Sequence, residues 1–160
     1  MTQLVCDTGP LNYLIQIGAV EFLPALFQKI LIPHSVFHEL IATAAPPAVR
    51  AWADRLPPWC RILETNTKLD GDFHGLSEAD LDVLSIAKTT NAAVLLDDLA
   101  ARKAARLLRL PLLGTLGFLE LAATKNLLSL PIAISKLKQT NIRISEDLYN
   151  EVLHRNGFGK

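Results

Sequence analysis

Residues 77–98 read SEADLDVLSIAKTTNAAVLLDD, a helix signal that runs into a strand signal and ends on two acids. Ser77 is a natural N-cap, and Asp80 stands three positions on, as in a capping box with Asp in place of Glu. Leu81, Leu84, Ser85 and Ala87 carry the helix to Thr89 or Thr90. Ala93 to Leu96 is then apolar at every position, and Asp97 and Asp98 follow at once. A strand without polar alternation is buried on both faces, which points to a parallel sheet covered by helices.

The same alternation extends outward in both directions. Upstream, Leu4 to Cys6 reads as a strand closed by Asp7, and Pro10 to Ile17 as a helix with proline at its start. Gly18 punctuates, and Val20 to Phe27 gives a second short helix. Lys29 to Ile32 is a strand stopped by Pro33, and His34 or Ser35 opens a helix to about Thr43, with Val36, Phe37, Leu40 and Ile41 on its apolar face. Pro46 to Leu56 predicts a helix ended by Pro57-Pro58, Cys60 to Leu63 a short strand, and Thr65 to Gly75 a polar loop. Downstream, Leu99 to Leu108 is a helix, Pro111 to Leu113 a strand and Leu116 to Thr124 a helix. Pro131 to Gln139 and Ser145 to Arg155 are amphipathic helices. The pattern predicts an α/β protein of three layers, α/β/α, around a central parallel sheet with C-terminal helices. Residues 1–125 form the main domain in this reading, and residues 126–160 a helical extension packed on it.

The chain has 160 residues, half of them hydrophobic, enough for one domain with a sizeable core. Its two cysteines, Cys6 and Cys60, suit a reducing compartment and lack metal-ligand spacing. No signal-peptide pattern and no membrane-length apolar run is present, so a cytoplasmic protein without membrane contact is expected. Sixteen basic residues balance sixteen acidic ones, so binding of nucleic acid has to rest on local patches. Arg102 and Arg106, one turn apart on the helix after Asp98, form one such patch.

In parallel sheets ligands bind beyond the carboxyl ends of the strands. Asp7, Asp97 and Asp98 all follow strands, and Thr115 follows the next. Each acid also has a structural explanation. Asp7 and Asp98 can cap the helices after them, Asp80 can complete its box, and Glu39 can be a solvated helix residue. Gathered at one edge, Asp7, Glu39, Asp80 and Asp98 would repel one another unless a cation neutralised them. A hard divalent ion, Mg2+ or Mn2+, takes such oxygen ligands.

The segments VCDTGPLNYL, IPHSVFHEL, LSEADLDVLSIA, AVLLDD and LLGTLGFLELA, in this order, resemble the PIN domain, a fold of metal-dependent nucleases found in toxin ribonucleases and RNA-processing endonucleases. The opening segment, DDLAARKAARLLRLPLLGTLGFLELA and RISEDLYNEVLHRNG resemble an uncharacterised bacterial and archaeal branch of that family. The resemblance implies Asp7, Glu39, Asp80 and Asp98 as catalytic acids, with Asp7, Asp80 and Asp98 as metal ligands. It places Thr115 near the site, ranks Asp97 second to Asp98, and leaves Asn12 where an aliphatic residue is usual. It favours Arg102, with Arg106, as contacts to a phosphate backbone. The implied function is metal-dependent hydrolysis of RNA, as the toxin of a toxin–antitoxin pair or otherwise, with a homodimer common in the family. Two rivals stand beside it. A response-regulator-like phosphoacceptor would need an acid pair after the first strand and a lysine after the last, and neither is present. A catalytically silent PIN-like nucleic-acid-binding or assembly module would keep the fold without the chemistry.

Overall fold

Five short apolar runs become the strands β1 (Gln3–Cys6), β2 (Lys29–Pro33), β3 (Cys60–Leu63), β4 (Ala93–Leu95) and β5 (Leu112–Leu113). In this computed structural model, which describes residues 3–66, 69 and 71–159, all four pairings are parallel and the strand order is β3-β2-β1-β4-β5. β1 is central: Leu4 faces Ile30 on one side and Ala93 on the other. Leu4, Val5 and Cys6 are wholly buried, as a strand covered on both faces requires. The winding reverses at β1, which makes its carboxyl end the topological switch point where such sheets open a crevice.

The connecting helices are α1 (Thr8–Gln16), α2 (Leu23–Leu26), α3 (His34–Leu40), α4 (Pro47–Asp54), α5 (Glu78–Thr90), α6 (Leu99–Leu107), α7 (Thr115–Thr124), α8 (Leu130–Lys138) and α9 (Glu146–Arg155). Several boundaries differ from the sequence reading. α1 begins at Thr8, two residues before Pro10, because the first helical N–H groups have no partner and proline loses nothing there. The expected helix from Val20 divides into a 3-10 turn, Val20–Phe22, and the four-residue α2. Pro24 lacks the N–H that a continuous helix would direct at the Val20 carbonyl. α3 stops at Leu40 rather than Thr43, with Ile41 as its C-cap and the Ala42 N–H turned to the Glu39 carbonyl three residues back. Residues 67, 68 and 70 of the expected Thr65–Gly75 loop lie outside the described residues.

The C-terminal helices share the main core. α8 buries Leu130, Ala133, Ile134 and Leu137, and α9 buries Tyr149 and Val152. Arg155 Nε and Asn156 Nδ2 both donate to Glu120 Oε1 of α7, at 2.6 and 2.9 Å. No helix among the described residues is long and apolar enough to cross a membrane.

Candidate functional site

Asp7 occupies the N-cap position of α1, yet its side chain makes no capping hydrogen bond. An N-cap acceptor ordinarily binds the N–H of the second or third helical residue. The third residue here is Pro10, which has none. The carboxyl is therefore free of the structural duty its position suggests, although it is 9% exposed. Burial pushes its pKa up from the usual carboxylate range to about 7, helped by the charges of Asp80 and Glu39 and by a hydrogen bond with Asp80, against the lowering effect of the Thr8 N–H.

Asp80 reaches the same spot from α5. Its Oδ2 accepts from the Ser77 N–H at 3.1 Å, and its own N–H donates to Ser77 Oγ at 3.1 Å, so the expected capping box is formed. The box fixes the rotamer of a side chain that is only 8% exposed and turns it to Asp7. Capping and site membership are thus compatible for Asp80. Glu39, exposed on α3, completes the group, with its Oε2 accepting from the Thr8 hydroxyl. Thr8 is absent from the residues that the sequence singles out; a hydroxyl directly after the strand-ending acid is the signal that marks it.

The acids after β4 are engaged differently. Asp98 caps α6, its Oδ2 accepting from the Ala101 N–H at 3.0 Å. Asp97 binds the start of α7: Thr115 N–H donates to Oδ1 at 2.8 Å and the Thr115 hydroxyl to Oδ2 at 2.5 Å. Asp97, ranked second from sequence, is thus the acid joined to Thr115. Both line a cleft of about 1010 Å3 with Gly9, Tyr13, Arg102 and Arg143. Arg102 is folded back, with Nη1 donating to the Leu96 carbonyl at 2.9 Å, and Arg106 is exposed on α6. Asn12 accepts from Gln16 Nε2 at 2.9 Å on α1. His34 and His38 stack edge to face, with ring centroids 4.4 Å apart. Asp82 accepts from the Ser35 hydroxyl at 2.6 Å.

Asp80 and Glu39 are therefore each within electrostatic reach of Asp7, while Asp97 and Asp98 are bound to helix N-termini. Among the described residues, no three His, Cys, Asp or Glu side chains group closely enough to hold a metal ion by themselves. The Asp7–Asp80 pair nevertheless fits a Mg2+-like ion in its donor chemistry. Such ions are commonly held by one or two carboxylates, with water and substrate phosphate completing the shell. Two buried carboxyls side by side, one of them forced towards its protonated form, offer the negative charge that a cation would neutralise.

A doubly wound α/β domain with carboxylates converging at its switch point belongs to the proteins that bind ligands at the carboxyl edge of a parallel sheet. Over residues 3–157 the sequence matches the DUF3368 family model, described as a PIN domain, and the chain belongs to the PIN domain family. PIN domains are generally nucleases and usually use divalent metal ions. The fold is similar to that of a PilT N-terminus domain protein from the hyperthermophilic archaeon Sulfolobus solfataricus, with a TM-score of 0.52 and 11% identity over 89% of this chain and 100% of that one. No curated protein matches the chain.

Proposed function

We propose that this protein is a Mg2+- or Mn2+-dependent endoribonuclease whose reaction centre is the Asp7–Asp80 pair, with Glu39 beside it. The observation that carries the reading is the convergence of two buried carboxyls, from β1 and α5, at the switch point, with Asp7 relieved of capping. Asp7 and Asp80 would hold the metal, with Asp98, or Asp97 through its hydrogen bonds to Thr115, contributing from the other side. The ion, when bound, lowers the pKa of water and neutralises charge on the phosphodiester. Glu39, held by Thr8, keeps an acceptor near that pair for a proton leaving the attacking water. Ser77 fixes Asp80, and Thr8 fixes Glu39, so the geometry is set before substrate arrives. A thiol nucleophile is disfavoured: burial pushes Cys6 well up, and burial with Glu21 pushes Cys60 to about 12. Arg102 and Arg106 are the proposed phosphate-backbone contacts, with Arg106 the more accessible. A toxin role with an antitoxin partner and a homodimer complete the reading and rest on the family resemblance, and a cytoplasmic setting rests on the cysteine usage and the patterns of the sequence.

The test is cleavage of unstructured RNA by purified protein with Mg2+ or Mn2+, with EDTA, and after Asp7→Asn. Cleavage that requires the ion and is lost in the variant supports the reading. Cleavage that survives both EDTA and Asp7→Asn would sink it. Metal binding without cleavage across varied RNAs favours the silent module, which the capping role of Asp98 also permits.

A further inference from the structure

Next to the acids, at the carboxyl ends of β2 and β3, lies a separate polar cavity of about 460 Å3, lined by His34, His38, Glu64, Asn66, Glu78 and Asp82 among others. Glu39 and Ser77 form part of its wall, and these two residues also touch the acid pair, through Thr8 and Asp80 respectively. Anything seated in the cavity is therefore adjacent to the proposed reaction centre. The volume is within the range of small-molecule sites and suits one nucleobase. Two imidazole rings stand in its wall, packed edge to face, and rings of this kind are surfaces on which unstacked RNA bases lie.

Its polar lining is rich in acceptors. Glu64 Oε1 stands 4.0 Å from His34 Nδ1, and its side chain is 77% exposed, so it can turn to an incoming group. Asp82 spends Oδ2 on the Ser35 hydroxyl at 2.6 Å and keeps Oδ1. An ionised carboxylate accepts hydrogen bonds and donates none. The four carboxylates of this wall, Glu39, Glu64, Glu78 and Asp82, outnumber its two imidazoles and disfavour phosphate and the carbonyl edge of uracil relative to a base that presents donors. Among the four bases only guanine offers two adjacent donors, N1–H and the N2 amino group, on its Watson–Crick edge, a match for one carboxylate.

We propose that the His34–His38–Glu64 cavity binds a guanine base of the RNA, stacked against the histidine rings and read by the Glu64 carboxylate, and so selects guanine next to the scissile phosphate. This rests on the ribonuclease reading of the adjacent acids. It adds a specificity residue, Glu64, that takes no part in holding metal.

Nucleoside binding tests the cavity without any need for cleavage. Guanosine, inosine, adenosine, cytidine and uridine are titrated into the full chain by calorimetry, which reads every variant, and the imidazole resonances of His34 and His38 locate the site wherever those two residues are kept. Guanosine should bind saturably. Inosine, which lacks the N2 amino group, and uridine should bind about tenfold more weakly or worse. Glu64→Gln should remove the preference for guanosine, and His34→Ala with His38→Ala should weaken binding of every base. Equal affinity for guanosine and uridine, or a preference that survives Glu64→Gln, would overturn the proposal. So would saturation by acetyl-arginine amide with no response to guanosine, which would assign the cavity to a cationic side chain of a protein. The same titration in Asp7→Asn keeps the two readings apart. Guanosine binding with no metal-dependent cleavage in the wild type would discredit the acids alone, and cleavage without base preference would discredit the cavity alone.

Discussion

At the scale of single residues, Asp7 ties the site to stability. Its carboxyl titrates near 7 in the folded chain, mainly because it is buried, and in the ordinary range near 4 once unfolded. Between those values the folded state binds more protons, so stability contributed by this residue falls as pH rises. The penalty is absent below about pH 4 and complete above about pH 7, on the order of a few kcal/mol at most. Metal-free wild type should therefore melt lower at pH 8 than at pH 5, beyond what a site-neutral control shows. Asp7→Asn should flatten that segment and raise the metal-free melting temperature at pH 8 by roughly 5 °C. It should also abolish stabilisation by Mn2+. Paired melts at the two pH values, with and without Mn2+, check this, and a large loss of metal-free stability in the variant would mean a structural role for Asp7. Asp98 calls for a different substitution. Asp98→Ala removes the cap of α6 and should cost about 1 kcal/mol. Asp98→Ser keeps a capping oxygen and removes the charge, so denaturation and cleavage assays on both variants separate the cap from the chemistry. If Asp98 is a ligand, the Asp98→Ser variant should regain stability while cleavage stays lost.

At the scale of elements, Asp97 and Gly114 tie the end of β4 closely to the start of α7. A Cβ on Gly114 would lie 2.7 Å from Arg102 Nη1 and 3.0 Å from Asp97 Oδ1. Arg102 is flexible, but Asp97 is bound twice to Thr115, which is 1% exposed. Gly114→Ala should therefore detach Arg102 from the Leu96 carbonyl, and Thr115→Val should leave a carboxylate oxygen without its donor. We expect about 1–3 kcal/mol of lost stability for Thr115→Val in urea unfolding, because a hydrogen bond to a charged group is removed. This join also shows what the sequence can and cannot reveal. Strands and helices are legible because apolar runs and turn residues alternate, and Ser77 with Asp80 announces the start of α5. The order of strands is not, since nothing local in Leu4-Val5-Cys6 says that it pairs with both β2 and β4. Asp97 and Asp98 are hard to rank for the same kind of reason. Adjacent residues differ in direction by a few backbone angles, and those angles are set by where α6 and α7 dock. The convergence of Asp7, Asp80 and Glu39 follows from the switch-point rule, whereas the hydroxyl of Thr8 and the His34–His38 cavity need side-chain positions.

At the scale of the whole molecule, the question is whether residues 126–160 are an appendage or part of one cooperative unit. The family match runs to residue 157 and so takes in almost all of that segment. Leu130, Ile134, Leu137 and Val152 are almost wholly buried, and they belong to the same core cluster as Leu4 and Val94 of the sheet. Burial of side chains of this size contributes about 1.5–3 kcal/mol each, so losing the four would remove on the order of 10 kcal/mol. That is comparable with the entire net stability of an ordinary domain, about 5–15 kcal/mol. Truncation after residue 125 should therefore leave a chain that does not fold, rather than a stable 1–125 unit. In the intact protein, urea unfolding followed by Trp52 and Trp59 fluorescence should coincide with unfolding followed by far-ultraviolet circular dichroism, in one transition. Glu120→Gln supplies the milder test. It weakens the charge-assisted bond to Arg155 while leaving an acceptor for Asn156, so it should lower the midpoint and keep the single transition. A second transition appearing in that variant, or a folded 1–125 fragment, would show that the sheet is stable without α8 and α9. The acids would then sit on a smaller autonomous domain, and Arg143 and Arg155 would belong to a separate unit beside it.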